Sequence, residues 1–272
     1  MAEGNKTGTD LLGLAAYGEA INTVTKGVVD GAGAFLSRIC LPVSEEFGLL
    51  LRDKVANWRA RNAAKMLEAA EILVGPPTDG ASKTAHPRLV HIAVQEASWT
   101  DNDQLQNMWA GLLASSCSSS SPNEDNLLLM NILKQLTAEE VIMLNWLCEF
   151  LIKGKTSGGY VHTIAQWIDR AELLCRSGIM DADRADLILD HLRNLGLMAE
   201  GSGFDIRTGN ARIWASSTAI ALYARCKGHR GRIIDFYEPL EDYDALLKKH
   251  DLESYNSTFD SDNLHYPAEN SE

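Results

Sequence analysis

Cys117 lies in the run ASSCSSSS, residues 114–121, a thiol set among hydroxyl side chains. A cysteine becomes a nucleophile when a base or a positive charge lowers its pKa. His86, His91 and His162 are the bases that tertiary proximity would have to bring to it. His86 and His91 are five residues apart, a poor spacing for two metal ligands on one helical face. GKT at 154–156 resembles the end of a phosphate loop, but the first glycine of that motif would fall on Glu149. GAG at 31–33 lacks the third glycine and the preceding strand of a dinucleotide fingerprint. There is no G-x-S-x-G elbow, no CxxC pair and no zinc spacing. The five cysteines, 40, 117, 148, 175 and 226, are scattered and odd in number, which predicts reduced, mostly buried thiols. No catalytic, cofactor or metal residue is assigned, and the expected class is a protein that is not an enzyme.

The elements around Cys117 explain its setting. Thr100 or Asp101 is the expected N-cap of a helix. Leu105, Met108, Leu112 and Leu113 recur on one face of it, with Trp109 at the border. The apolar pattern stops at Ala114, and serines then lead to Pro122, which cannot continue a helix interior. The run is therefore read as a helix end followed by a polar loop.

Other segments share the helical period. Leu14, Tyr17, Ile21, Val24, Val28, Phe35 and Ile39 make an apolar stripe over 11–41. Gly27, Gly31 and Gly33 predict a break or a close helix contact near 27–33. This stripe is read as a core helix pair, or as a surface that engages lipid or a partner helix through Val24, Val28, Phe35 and Ile39. A second helix follows Pro42, with Ser44 as N-cap and a basic face of Arg52, Lys54, Arg59, Arg61 and Lys65. Residues 75–87 are a loop, and 88–97 a short helix. Asn126–Leu136 is helical. Thr137 and Glu140 form a capping box that opens the helix 138–152. Further helices are expected at 162–174 and 183–198, the latter stopped by Gly196. LMAE, GFDIR and ARIWAS read as short strands, and Ser217 as the cap of a last helix.

The fold class is mainly α: an N-terminal helical bundle followed by a winged-helix-like module with a small β-hairpin. The expected organisation is a flexible 1–10, a bundle over 11–136, the winged-helix-like region over 137–234 and an acidic tail over 235–272. That tail holds 11 acids against 2 lysines, so it carries most of the net −12. It is expected to be partly disordered or to dock as an extended segment. The N-terminus lacks a signal-peptide pattern and no stretch reaches ~18 uninterrupted apolar residues, so a cytoplasmic location is expected, with peripheral membrane contact as an option.

A winged helix raises DNA binding. Its recognition helix would carry Asp183, Asp186 and Asp190 beside Arg184 and Arg193, whereas phosphate neutralisation calls for a basic helix. The better basic group is Arg207, Arg212, Arg225, Lys227, Arg230 and Arg232. Nucleic acid is disfavoured as the partner, and use of the module for protein contacts is favoured.

Four segments together resemble the abortive infection alpha family of bacterial proteins. They are RNAAKMLEAAEIL, WTDNDQLQNMWAGLLASS, ILKQLTAEEVIMLNWL and LDHLRNLGLM. The resemblance covers most of residues 14–228. It implies antiphage defence and supplies no catalytic residue to carry over. In that family the tryptophan segment is a packing element, in agreement with the reading of 105–116. The expected function is a non-enzymatic antiphage protein that senses an infection-linked structure, such as a lipid or membrane surface, and/or recruits an effector partner. A protein partner from the same defence operon is expected, and a homo-oligomer is compatible with the sequence. The alternatives are a winged-helix DNA-binding regulator and an enzyme with no recognisable motif.

Overall fold

The computed structural model describes residues 23–40, 42–43, 56–76, 83–118 and 124–250. Within them the chain is mainly helical, with two small three-stranded sheets. It divides into two compact units. The first comprises Met1–Trp146, Arg176–Ile179 and Ala221–Gly231; the second comprises Leu147–Cys175, Met180–Ile220 and Arg232–Glu272.

The first unit is built on α1 (Thr23–Ile39), α2 (Ala56–Val74), α3 (Pro87–Ser98), α4 (Asp103–Ser116) and α5 (Leu127–Leu133). α2 packs against α1, α3 and α4. The core joins Phe35, Leu36 and Ile39 with Met66, Leu67, Leu89, Trp109, Leu112 and Leu113, all essentially without exposure. Each such side chain contributes roughly 1.5–3 kcal/mol by leaving water. The break expected at 27–33 is absent: α1 runs through Gly27, Gly31 and Gly33. Packing of its C-terminal half outweighs their low helix propensity. Of the second helix, Ser44 and residues 45–55 lie outside the described residues. Arg59 does not belong to a solvated basic face. It is buried, donates to the Ser98 hydroxyl at 3.1 Å and to Gln95 Oε1 at 3.1 Å, and stacks 4.2 Å from the Trp99 ring centre. Lys65, by contrast, is exposed and pairs with Asp103.

The caps show how local chemistry starts these helices. Asn102, not Thr100 or Asp101, caps α4, accepting from the Leu105 amide at 3.0 Å. At α6 (Ala138–Phe150) the capping box forms in both directions. The Thr137 amide donates to Glu140 at 2.6 Å, and the Glu140 amide donates to the Thr137 hydroxyl at 3.4 Å.

The second unit contains β1 (Lys153–Lys155), β2 (Val161–Thr163) and β3 (Gln166–Ile168). The helix expected over 162–174 is thus corrected: strands occupy its first half, and α7 (Arg170–Ser177) begins only at Arg170. Pairing with strands distant in sequence decided this, since 161–168 alone fits either period. α8 (Ala182–Asn194) follows and ends before Gly196, whose φ is +71°. β4 (Gly203–Phe204) and β5 (Ala211–Ile213) form the expected hairpin, and β3 joins it in the order β3-β5-β4. The third strand-like piece contributes only an isolated bridge, Met198 to Ala215. α9 (Ser217–Cys226) is capped by Ser216 rather than Ser217: its hydroxyl accepts from the Ala219 amide at 3.2 Å. α10 (Ile233–Tyr237) and β6 (Glu241–Asp242) come next, and β6 pairs parallel to β1. Residues 243–250 are helical. The first part of the acidic tail is therefore structured; 251–272 lie outside the described residues.

Candidate functional site

Cys117 terminates α4. It is 1% exposed, and its thiol donates to the Leu113 carbonyl at 3.5 Å. Ser115 and Ser116 turn their hydroxyls back to the Leu112 carbonyl, and Asn126 donates to both of them. Ser118 bridges Thr84 through two amide–carbonyl bonds of 2.8 Å. Burial pushes the thiol up to about 11, against the pull of Arg230, Arg38 and Lys83. It is protonated at neutral pH, and no histidine is among the groups acting on it. Ser119, Ser120, Ser121 and Pro122 lie outside the described residues.

The other chemical candidates also resolve into structure. Gly154 and Lys155 lie on β1 and Thr156 starts a hairpin turn closed by Tyr160. A Cβ on Gly154 would stand 2.8 Å from Tyr243 Cα, so this glycine serves close packing and not a phosphate. His86 caps α3 through Nδ1, which accepts from the Arg88 amide. His162 on β2 faces the Tyr243 ring at 5.6 Å. Among the described residues no three His, Cys, Asp or Glu are grouped to hold a metal ion.

The candidate lipid surface needs correction. Phe35 and Ile39 are each 1% exposed, packed where α1 meets α2, so these two cannot present an apolar face outward. Val24 and Val28 fall in α1, but their side chains lie outside the described residues. No described helix is long and apolar enough to cross a membrane.

The basic group divides by use as well as by unit. In the first unit Arg230 is structural. It donates to the Ala114 carbonyl at the end of α4 and reaches the Leu73 carbonyl at the end of α2, at 3.0 and 3.4 Å. Both carbonyls lie in the last turn of their helix, where intrahelical partners run out, and that of Ala114 also accepts from the Cys117 amide at 3.2 Å. Arg225 is half-buried and donates to the His229 carbonyl at 2.7 Å; burial pulls its pKa below the ordinary value, with Asp125 opposing. Lys227 is exposed, 4.8 Å over the Tyr223 ring. In the second unit Arg207 and Arg232 are exposed, and Arg212 is half-buried.

Arg212 leads to a cleft on the second unit. It projects from β5 beside Trp167 of β3 and Gly203 of β4, its register partners. Ala211 and Ile213 point the other way, into the core. This outward row and the side of α8 enclose a cleft of about 310 Å³. Asp186, Asp190 and Arg193 come from α8, and the 201–205 turn closes the remaining wall. Gly201 and Gly203 hold φ of +81° and +135°. A Cβ there would come within 3.0 Å of the Arg212 guanidinium and 3.2 Å of that of Arg193. The glycines thus leave room for two guanidinium groups. Arg193 is committed, to the Ser202 carbonyl and to Asp190, both at 2.6 Å. Arg212 stands 5.5 Å over the Trp214 ring and makes no ion pair with a described residue. Asp205 accepts from the Thr208 and Arg207 amides, which hold its carboxyl below the ordinary carboxylate value. Trp167 is 61% exposed.

Sequence reasoning reached Arg212 and the α8 acids but missed Trp167, which it buried in an expected helix. The alternation of Val161 and Thr163, both buried, with the half-exposed His162 was the available signal.

The helical core and the two small sheets define the class, a mainly α protein whose second unit presents an open, mixed-charge cleft. The chain belongs to the abortive infection alpha family, whose model matches residues 57–215. No curated protein and no solved structure matches it. The matched span includes both walls of the cleft. Membership points to a role in abortive infection, a defence against bacteriophage.

Proposed function

We propose that this chain is a non-enzymatic antiphage protein that acts by binding: it senses an infection-linked structure and recruits an effector protein encoded beside it. The observation that carries the binding reading is the surface of the second unit. Trp167, Leu187 and Ile206 are 61%, 59% and 99% exposed, on β3, on α8 and in the β4–β5 turn. Of these, Trp167 lines the cleft, and an exposed tryptophan beside a concave surface suits a binding role. The protonated, enclosed Cys117 speaks against thiol chemistry. A lipid-sensing version cannot use Phe35 or Ile39.

The test is phage plating on cells that express the chain alone or with its neighbouring genes. Protection retained in Cys117→Ala, in His162→Ala and in the substitution His191→Ala on α8 supports binding. Its loss in any folded member of that set points to catalysis and sinks the proposal.

A second reading is a winged-helix DNA-binding regulator. The succession α6, β3, α7, α8, β4, β5 and the sheet order β3-β5-β4 support a winged-helix-like arrangement. The acids of α8 oppose DNA as its ligand. In a mobility-shift assay at low salt no shift is expected. A salt-steep shift lost on neutralising Arg207 and Arg212 would establish the regulator instead.

A further inference from the structure

From the cleft between α8 and the β3-β5-β4 sheet we infer a docking site for a cationic protein segment, a lysine or arginine flanked by apolar residues. The inference rests on the binding function proposed above and names the partner's chemistry. Three features converge on it. The exposed Trp167 of β3 and Asp186 of α8 both line the cleft. An aromatic face with a nearby carboxylate attracts a side-chain cation more than either does alone. Asp186 has no partner among the described residues, whereas Asp190 is occupied by Arg193. Arg212, the cross-strand neighbour of Trp167, also lines the cleft and makes no ion pair with a described residue. It is a donor for a backbone carbonyl of the docked segment. Leu187 and Ile206, each next in sequence to a lining acid, are exposed apolar side chains of the same unit.

Charge selects this occupant. Among the described residues the second unit carries 14 acidic against 10 basic residues, while the first carries 10 against 12. A second copy would bring the same acidity against it, and nucleic acid or an anionic lipid would meet Asp186 and Asp190. A basic segment is steered towards this unit from a distance and held by the cleft at contact.

The experiment uses the full chain and a short fluorescein-labelled peptide of alternating leucine and arginine, read by fluorescence polarisation at about 150 mM salt. A leucine–glutamate peptide and a thymidine oligonucleotide are run beside it. Binding of the arginine peptide alone is expected, weakened about tenfold by Asp186→Lys and by Trp167→Ala. Asp235→Lys, an exposed acid of the same unit outside the cleft, should leave it unchanged. Asp186 is an exposed helix position, so its variant remains informative if Trp167→Ala fails to fold. No peptide binding, or equal weakening by Asp235→Lys, overturns the inference. So does oligonucleotide binding that Asp186→Lys strengthens, which would assign the face to nucleic acid. Full phage protection by Asp186→Lys that still needs a neighbouring gene removes the cleft and leaves the binding function standing.

Discussion

Cys117 shows how one residue's environment decides its chemistry. Its thiol is surrounded by core and by the end of α4, and burial outweighs three cations. The folded-state pKa, about 11, lies above the ordinary thiol value of 9.0. A group raised in this way contributes stability that is complete below its unfolded pKa and is lost as pH rises towards the folded one. Chemical denaturation should therefore show stability falling between about pH 9 and 11, by about 2–3 kcal/mol from this group. Cys117→Ala should flatten that fall; an unchanged profile would mean the thiol is not the group responsible. Arg230 makes the opposite point. Read as part of a basic patch, it is bound to helix-end carbonyls. Arg230→Ala should lower stability by about 1–2 kcal/mol, and a melting temperature matching the parent would return the residue to the surface.

Among the described glycines, Gly111 of α4 makes the closest approach, against the C-terminal end of α9. A Cβ on Gly111 would lie 1.7 Å from the Cys226 carbonyl oxygen, a backbone atom that no rotamer change can move away. Gly111→Ala should destabilise by about 1–3 kcal/mol or more. Gly31 in α1 is the matched control, because a Cβ there meets nothing within 4 Å. Gly31→Ala should stabilise by up to about 1 kcal/mol through helix propensity. Two substitutions of the same type with opposite signs of melting shift would confirm that packing, not glycine content, governs these helices. Equal signs would refute it.

For the whole molecule, defence and stability should be separable properties. Asp186→Lys should abolish phage protection with the melting temperature unchanged, because the side chain is exposed and unpaired. Arg230→Ala should lower protection only as far as it lowers the folded fraction, and restore it at reduced growth temperature. Plating at two temperatures beside a thermal melt distinguishes the two routes. Loss of protection by both variants in proportion to stability would leave the cleft without a special role.

Much of this architecture was legible in residue order. The capping box of Thr137 and Glu140, the stop at Gly196 and the apolar face of 105–113 are short-range signals that need only neighbours three or four residues away. The end of α4 at the serine run was legible for the same reason, and so was the family. What residue order left open depended on partners far along the chain. The strand 166–168 exists because 211–213 pairs with it, and the middle of α1 stays helical although glycine weakens it. Phe35 and Ile39 are core because α2 covers them, a fact invisible in their amphipathic period. The cleft joins Trp167, Asp186 and Arg212 from three elements, and only tertiary packing sets which walls face one another. Periodicity states which residues share a face; what lies against that face is decided by the rest of the chain.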